Sequence, residues 1–127
     1  MSDGAIKVDG LRELQAAFRR ADRKMARDLR KELREAARPV ADEAERLALS
    51  EIRNMTERWA MMRVGAGARE VYVVPRLRGT KNRNRKRPNL KDLLLDRAME
   101  PALEREREHV VERIQHVLDT VASEWER

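Results

Sequence analysis

Apolar residues recur at three- and four-residue steps from Leu11 onward: Leu11, Leu14, Phe18, Ala21, Met25, Leu29, Leu33, Ala36 or Ala37, Val40, Ala44 and Leu47. Arg and Glu fill most of the positions between them. A 3.6-residue repeat gathers such positions into one stripe, so the spacing predicts a long amphipathic helix or helix pair that ends near Asn54-Met55-Thr56. Asp22 is a residue type that caps helix starts and marks a turn after Ala21. Pro39 lacks a backbone donor and crowds the preceding turn, which predicts a kink or break near Ala36 to Arg38. Mixed-sign neighbours such as Asp28 and Lys31 support a helix only weakly, so the stripe must be buried by packing.

The period changes on either side of this segment. Ala5-Ile6-Lys7-Val8 alternates apolar with polar and predicts a brief edge strand, closed by Asp9-Gly10, with Asp9 as a cap for the helix that follows. Met61-Met62-Arg63-Val64 and Val71-Tyr72-Val73-Val74 flank a glycine-bearing turn region and predict a β-hairpin ended by Pro75. Asn89 is placed to cap a helix from Leu90, and Pro101 marks either a new helix start or a kink. Leu103, Val110 or Val111, Ile114, Val117 or Leu118, Val121 and Trp125 then carry a second helical stripe, while Glu104 to Glu108 alternates charge like a solvated face. The fold class that follows is α+β, as a single domain over 1–127. Its parts are a strand and long helices over 5–55, a hairpin over 57–75, a basic loop over 76–89 and C-terminal helices over 90–127.

Charge adds one sharp feature. Arg76, Arg78, Lys81, Arg83, Arg85, Lys86 and Arg87 lie in one run that contains no acidic residue. The chain's formal charge is +6, so the rest of the molecule sits near −1 without these seven cations. Unpaired guanidinium groups are too costly to desolvate, so the run faces solvent, a polyanion or an acidic neighbour. Trp59, Tyr72 and Pro75 before it, and Pro88 and Asn89 after it, read as anchors that hold it in place. No aromatic interleaves the basic residues, so base stacking is not supported. Contact with an acidic protein surface is therefore the first reading, non-specific contact with nucleic-acid phosphates the second, and a loop serving solubility alone the third.

Catalytic chemistry finds little here. The 127 residues include no cysteine, which removes thiol nucleophiles, disulfides and Cys-based metal sites. His109 and His116 share a helical face but are about 10.5 Å apart along it, too far to share one metal ion. Ser2, Ser50 and Ser123 lack a nucleophile-elbow motif. The Gly65-Ala66-Gly67 run has no Lys-Ser or Lys-Thr after it and is no phosphate loop. The carboxylates interleave with Arg as ion-pairing surface does. The expectation is no catalytic residue, no metal and no cofactor: not an enzyme. No apolar run reaches the roughly 20 residues of a membrane span. The Met1-Ser2-Asp3-Gly4 start lacks the order of a signal peptide.

Several stretches resemble a known family. Gly10-Leu11-Arg12-Glu13-Leu14, the long Ala/Arg/Glu helix and Ala36-Ala37-Arg38-Pro39-Val40-Ala41-Asp42-Glu43-Ala44 are similar to the neck or tail-completion proteins of long-tailed (siphovirus) phages, the lambda gene-product-Z-like group. These are often described as minor tail or head-tail connector proteins. Ile52-Arg53-Asn54-Met55, Trp59 to Gly65, Val71 to Gly79, Arg87-Pro88-Asn89-Leu90 and Arg97 to Leu103 look like the actinobacteriophage branch. One departure is the absence of a Pro, Thr-Gly and Leu motif after the long helix, where this chain has Leu47-Ala48-Leu49-Ser50. The resemblance implies a structural protein of the virion, made in the bacterial cytoplasm and assembled at the head-tail junction. It implies a homo-oligomeric ring, six-fold or twelve-fold. Its partners would be connector or stopper proteins on one side and tail-terminator or tail-tube proteins on the other. Packaged DNA would pass through the ring, and no membrane would be involved. The alternative is a nucleic-acid-binding accessory protein that uses residues 76–87.

Overall fold

The structure is a computed structural model that describes residues 5–8, 12–67, 70–76 and 89–125. Two long helices and a small antiparallel sheet make an α+β fold. Strand β1 (Ile6–Val8) is followed by α1 (Arg12–Arg20) and the 29-residue α2 (Arg23–Glu51). A one-turn helix α3 (Glu57–Ala60) leads into β2 (Met62–Ala66) and β3 (Val71–Pro75). The chain closes with α4 (Leu90–Leu94), a π-helical segment (Leu95–Met99) and α5 (Glu100–Trp125).

Local chemistry sets most of these boundaries. Asp22 turns the chain between α1 and α2, and its Oδ1 accepts from the Met25 N–H at 2.8 Å. Arg30 then lies over the Phe18 ring, 5.1 Å from its centre, tying the end of α1 to α2. Helix α2 stops at Ile52, and Asn54 reverses the chain at φ 59°, a left-handed conformation that Asn tolerates. Thr56 Oγ1 accepts from the Trp59 N–H at 3.3 Å and starts α3. Trp59 therefore belongs to a helical turn rather than to the hairpin, because a capping Thr followed by Glu57 outweighs the strand preference of the aromatic.

Two prolines lie within helical stretches. Pro39 does not break α2, which stays helical on both sides of it. The backbone acceptor it orphans belongs to Glu35, an exposed residue that water can reach, so the cost is borne without ending the helix. Pro101 lies in the first turn of α5, one of its two expected settings, directly after the π segment. The turn before it widens into the π segment, where the Glu100 N–H donates to the Leu95 carbonyl. A wider turn makes room for the ring that a regular helix would push into the Arg97 carbonyl. Asn89 occupies the cap position of α4, yet its side chain makes no capping bond, and its carbonyl accepts from the Leu93 N–H at 3.0 Å instead.

The sheet has the order β1-β3-β2, with both pairings antiparallel. The Val/Tyr-rich β3 is central, as its β-branched composition favours. One sheet face carries Ile6, Met62, Val71 and Val73 into the core. Helix α2 meets them with Leu29, Leu33, Ala36, Ala37, Val40, Ala41, Ala44, Leu47 and Ala48, all buried. It packs against the sheet and also against the π segment and α5, which contribute Ala98, Met99, Ala102, Leu103, Val110, Ile114 and Leu118. Phe18 and Met25 of the expected stripe are only half-buried, and Leu11 lies outside the described residues.

Leu33 is fully buried, so Leu33→Ala should lower stability by about 2–5 kcal/mol. Pro39→Ala should act in the opposite direction and raise it by about 1–3 kcal/mol, since a helix-interior donor is restored. Urea unfolding followed by far-UV circular dichroism measures both, and a loss of stability in Pro39→Ala would show that the ring fills space the fold needs.

Candidate functional site

Two charged constellations are built on α2. The first is a clamp. Glu43 is only 18% exposed at its side chain and receives guanidinium donors from two directions. Arg46 forks onto both carboxylate oxygens, with Nη2 at 3.0 Å from Oε2. Arg105 of α5 reaches the same Oε2 through Nη1 at 2.9 Å, across 62 residues of sequence. The Arg46 hydrogen bonds first, and then that of Arg105, hold the Glu43 carboxyl down at about pKa 2, and Glu43 in turn raises Arg46. Residues 104–108, expected as a fully solvated face, thus supply one of the bonds that fasten α5 to α2.

The second constellation is a basic groove of about 640 Å³ between α2 and the hairpin. Lys31, Arg34, Glu35 and Arg38 line it from α2, and Met62, Arg63, Val64 and Arg76 line it from the sheet. Arg38 pairs with carboxylates of its own helix at the surface, with Asp42 at 2.9 Å and Glu45 at 3.3 Å. Among the described residues no ion pair forms to Lys31, Arg34, Arg63 or Arg76, all four of which are exposed. Glu45 fixes the near end of the groove, its Oε1 accepting from the Met62 N–H at 2.9 Å.

The hairpin that forms one wall is held at both ends. The Gly67 N–H donates to the Glu70 carbonyl at 2.9 Å, and the Arg76 N–H donates to the Met61 carbonyl at 2.8 Å. Gly65 stands opposite Tyr72, whose ring lies where any β-carbon at position 65 would be. Tyr72 is half-buried and Pro75 buried, and Trp59 packs half-buried against the core from α3.

Of the seven cations expected to form one contact surface, Arg76 is exposed and lines the groove. Arg78, Lys81, Arg83, Arg85, Lys86, Arg87 and Pro88 lie outside the described residues. The structure adds Lys31, Arg34 and Arg63, which the sequence pattern did not single out. Their signal was present but faint: Lys31, Arg34 and Arg38 stand at helical spacing beside the apolar stripe, and Arg63 alternates with buried Met62.

His109 and His116 are exposed, and among the described residues no three His, Asp or Glu side chains come together as a metal site. No helix among them is long and apolar enough to cross a membrane. Compared with protein-family models, with curated proteins and with solved structures, the chain matches none of them.

The clamp makes stability depend on acid. A carboxyl whose folded pKa is depressed from 4.5 to about 2 stabilises the fold fully above the unfolded value, and that contribution fades as pH falls from about 4.5 toward 2. Stability should therefore drop more steeply over this window in the unaltered protein than in Glu43→Gln. Carboxyl NMR of Glu43 should titrate near 2, and an ordinary carboxylate midpoint would show that the arginines do not hold it in solution.

Proposed function

We propose that this protein is a non-enzymatic structural subunit of a tailed-phage virion, forming a ring at the head-tail junction between the capsid connector and the tail. The observation that carries the reading is how the seven-cation run is mounted. Buried Pro75 precedes it and buried Leu90 follows it, so the described chain on either side of the run belongs to one core. A polycation mounted on a rigid helix-and-sheet body suits repeated contact with acidic surfaces in an assembly. The resemblance of its helical and hairpin motifs to neck and tail-completion proteins supplies the setting.

A second reading has a specific observation behind it. The exposed groove cations Lys31, Arg34, Arg63 and Arg76 begin where the run 76–87 begins, which extends the positive surface available to phosphates. In a ring, that surface would face DNA in the channel; in a free protein, it would bind nucleic acid non-specifically.

Mass spectrometry and imaging of purified particles of the parent phage should place the protein at the neck, and its deletion should leave heads and tails unjoined. Normal joining without it would overturn the structural reading. Replacing Arg83, Arg85, Lys86 and Arg87 by Ala should impair joining while leaving helical content unchanged. Filter binding to duplex DNA over a salt series separates the second reading: a steep logarithmic slope, flattened in the same variant, identifies phosphate contact.

A further inference from the structure

The groove has a property that a simple cationic patch lacks: among the described residues, one of its walls is the open edge of a sheet. Strand β2 is the outermost strand in the order β1-β3-β2. The bonds from Arg76 to Met61 and from Gly67 to Glu70 fix the phase of the hairpin. In an antiparallel ladder the backbone groups of alternate residues turn to the same side. Met61, Arg63 and Gly65 therefore point their N–H and carbonyl groups at β3, while Met62, Val64 and Ala66 point theirs away from it. Glu45 takes the outward N–H of Met62. Among the described residues nothing takes the outward N–H of Val64 or Ala66.

Proteins usually blunt such an edge or cover it. Here the edge runs beside Lys31, Arg34, Arg63 and Arg76, with Glu35 the one acidic side chain among the lining residues. The chain's own neighbouring segment is a poor cover, because residues 76–87 carry seven basic side chains and no acidic one. The geometry points to β2 as the docking edge for an extended acidic segment of a partner protein, which adds as a strand along Val64 and Ala66. Main-chain hydrogen bonds would supply the alignment, and carboxylates alternating along the segment would meet the four cations. A nucleic acid would match the charge but has no use for the strand's spaced donors and acceptors, so the polypeptide is favoured. The inference stands on the groove and does not require the virion reading: peptide binding and particle joining fail independently.

The test uses the full-length protein and a fluorescein-labelled decapeptide of alternating Glu and Val, read by fluorescence anisotropy at moderate salt. The peptide should bind. A second peptide, N-methylated at alternate amides on one edge, should bind about tenfold more weakly, as the loss of roughly one main-chain hydrogen bond predicts. Methylation of the opposite edge should change little. Val64→Pro removes an outward donor without removing a ladder bond and should weaken binding similarly. Lys31→Glu with Arg34→Glu, both on the exposed side of α2, gives an independent variant that should abolish binding while leaving the thermal midpoint nearly unchanged. Failure of the peptide to bind overturns the proposal. So does equal binding of all the methylated forms, or displacement of the peptide by a thymidine oligonucleotide at lower concentration than by unlabelled peptide; the last result would make the groove a nucleic-acid site.

Discussion

Five alanines on α2 set the geometry of everything around them. Ala36, Ala37, Ala41, Ala44 and Ala48 are buried where the helix is pressed by the sheet on one side and by the π segment and α5 on the other. A methyl side chain lets two neighbours approach one helix closely, and it loses no side-chain entropy in doing so. Larger residues, Leu29, Leu33, Val40 and Leu47, fill the rest of the same face. Because α2 is shared by both layers, its register decides where β2, the hairpin end and the C-terminal helix can lie. The basic groove and the Glu43 clamp both inherit their positions from it.

The same helix sorts the charges into two populations. Carboxylates at positions 42, 43 and 45 face Arg38, Arg46 and Arg105 and are consumed in internal pairs. One turn and more toward the N-terminus, Lys31 and Arg34 form no ion pair among the described residues although Asp28 and Glu35 are near in sequence, and Arg63 and Arg76 line the same groove from the sheet. Exposed ion pairs add little to stability, but the sorting leaves four exposed cations together along the groove. A surface of this kind speeds and orients association with acidic partners more than it tightens it. The two proline sites show how much irregularity the framework absorbs. One is tolerated because its orphaned carbonyl belongs to an exposed residue, the other because the helix widens in front of it.

What the residue pattern determined by itself was the kind of element and the face each one buries. The steps from Leu14 to Leu47 and from Leu103 to Leu118 specified two helical stripes, and the alternation around Val71 to Val74 specified a strand. Burial follows periodicity closely because removing apolar surface from water is the main force that drives folding. Asp22 as a helix start and Pro75 as a strand end were equally legible, since capping and the loss of a donor are local effects. Local effects also misled where context overruled them, at the break that Pro39 could have made, at Trp59 and at the Asn89 side chain.

Only the tertiary structure decided which residues from different elements meet. The pairing of β1 with β3, the reach of Arg105 to Glu43 and the gathering of Lys31, Arg34, Arg63 and Arg76 around an unpaired strand edge join positions far apart in the chain. A linear pattern carries the period of each element but not the relative placement of two elements, which is fixed when their apolar faces close on one another. The basic run was visible from residue types alone. Among the described residues, the open edge near Arg76 exists only because β2 ended up outermost in the sheet.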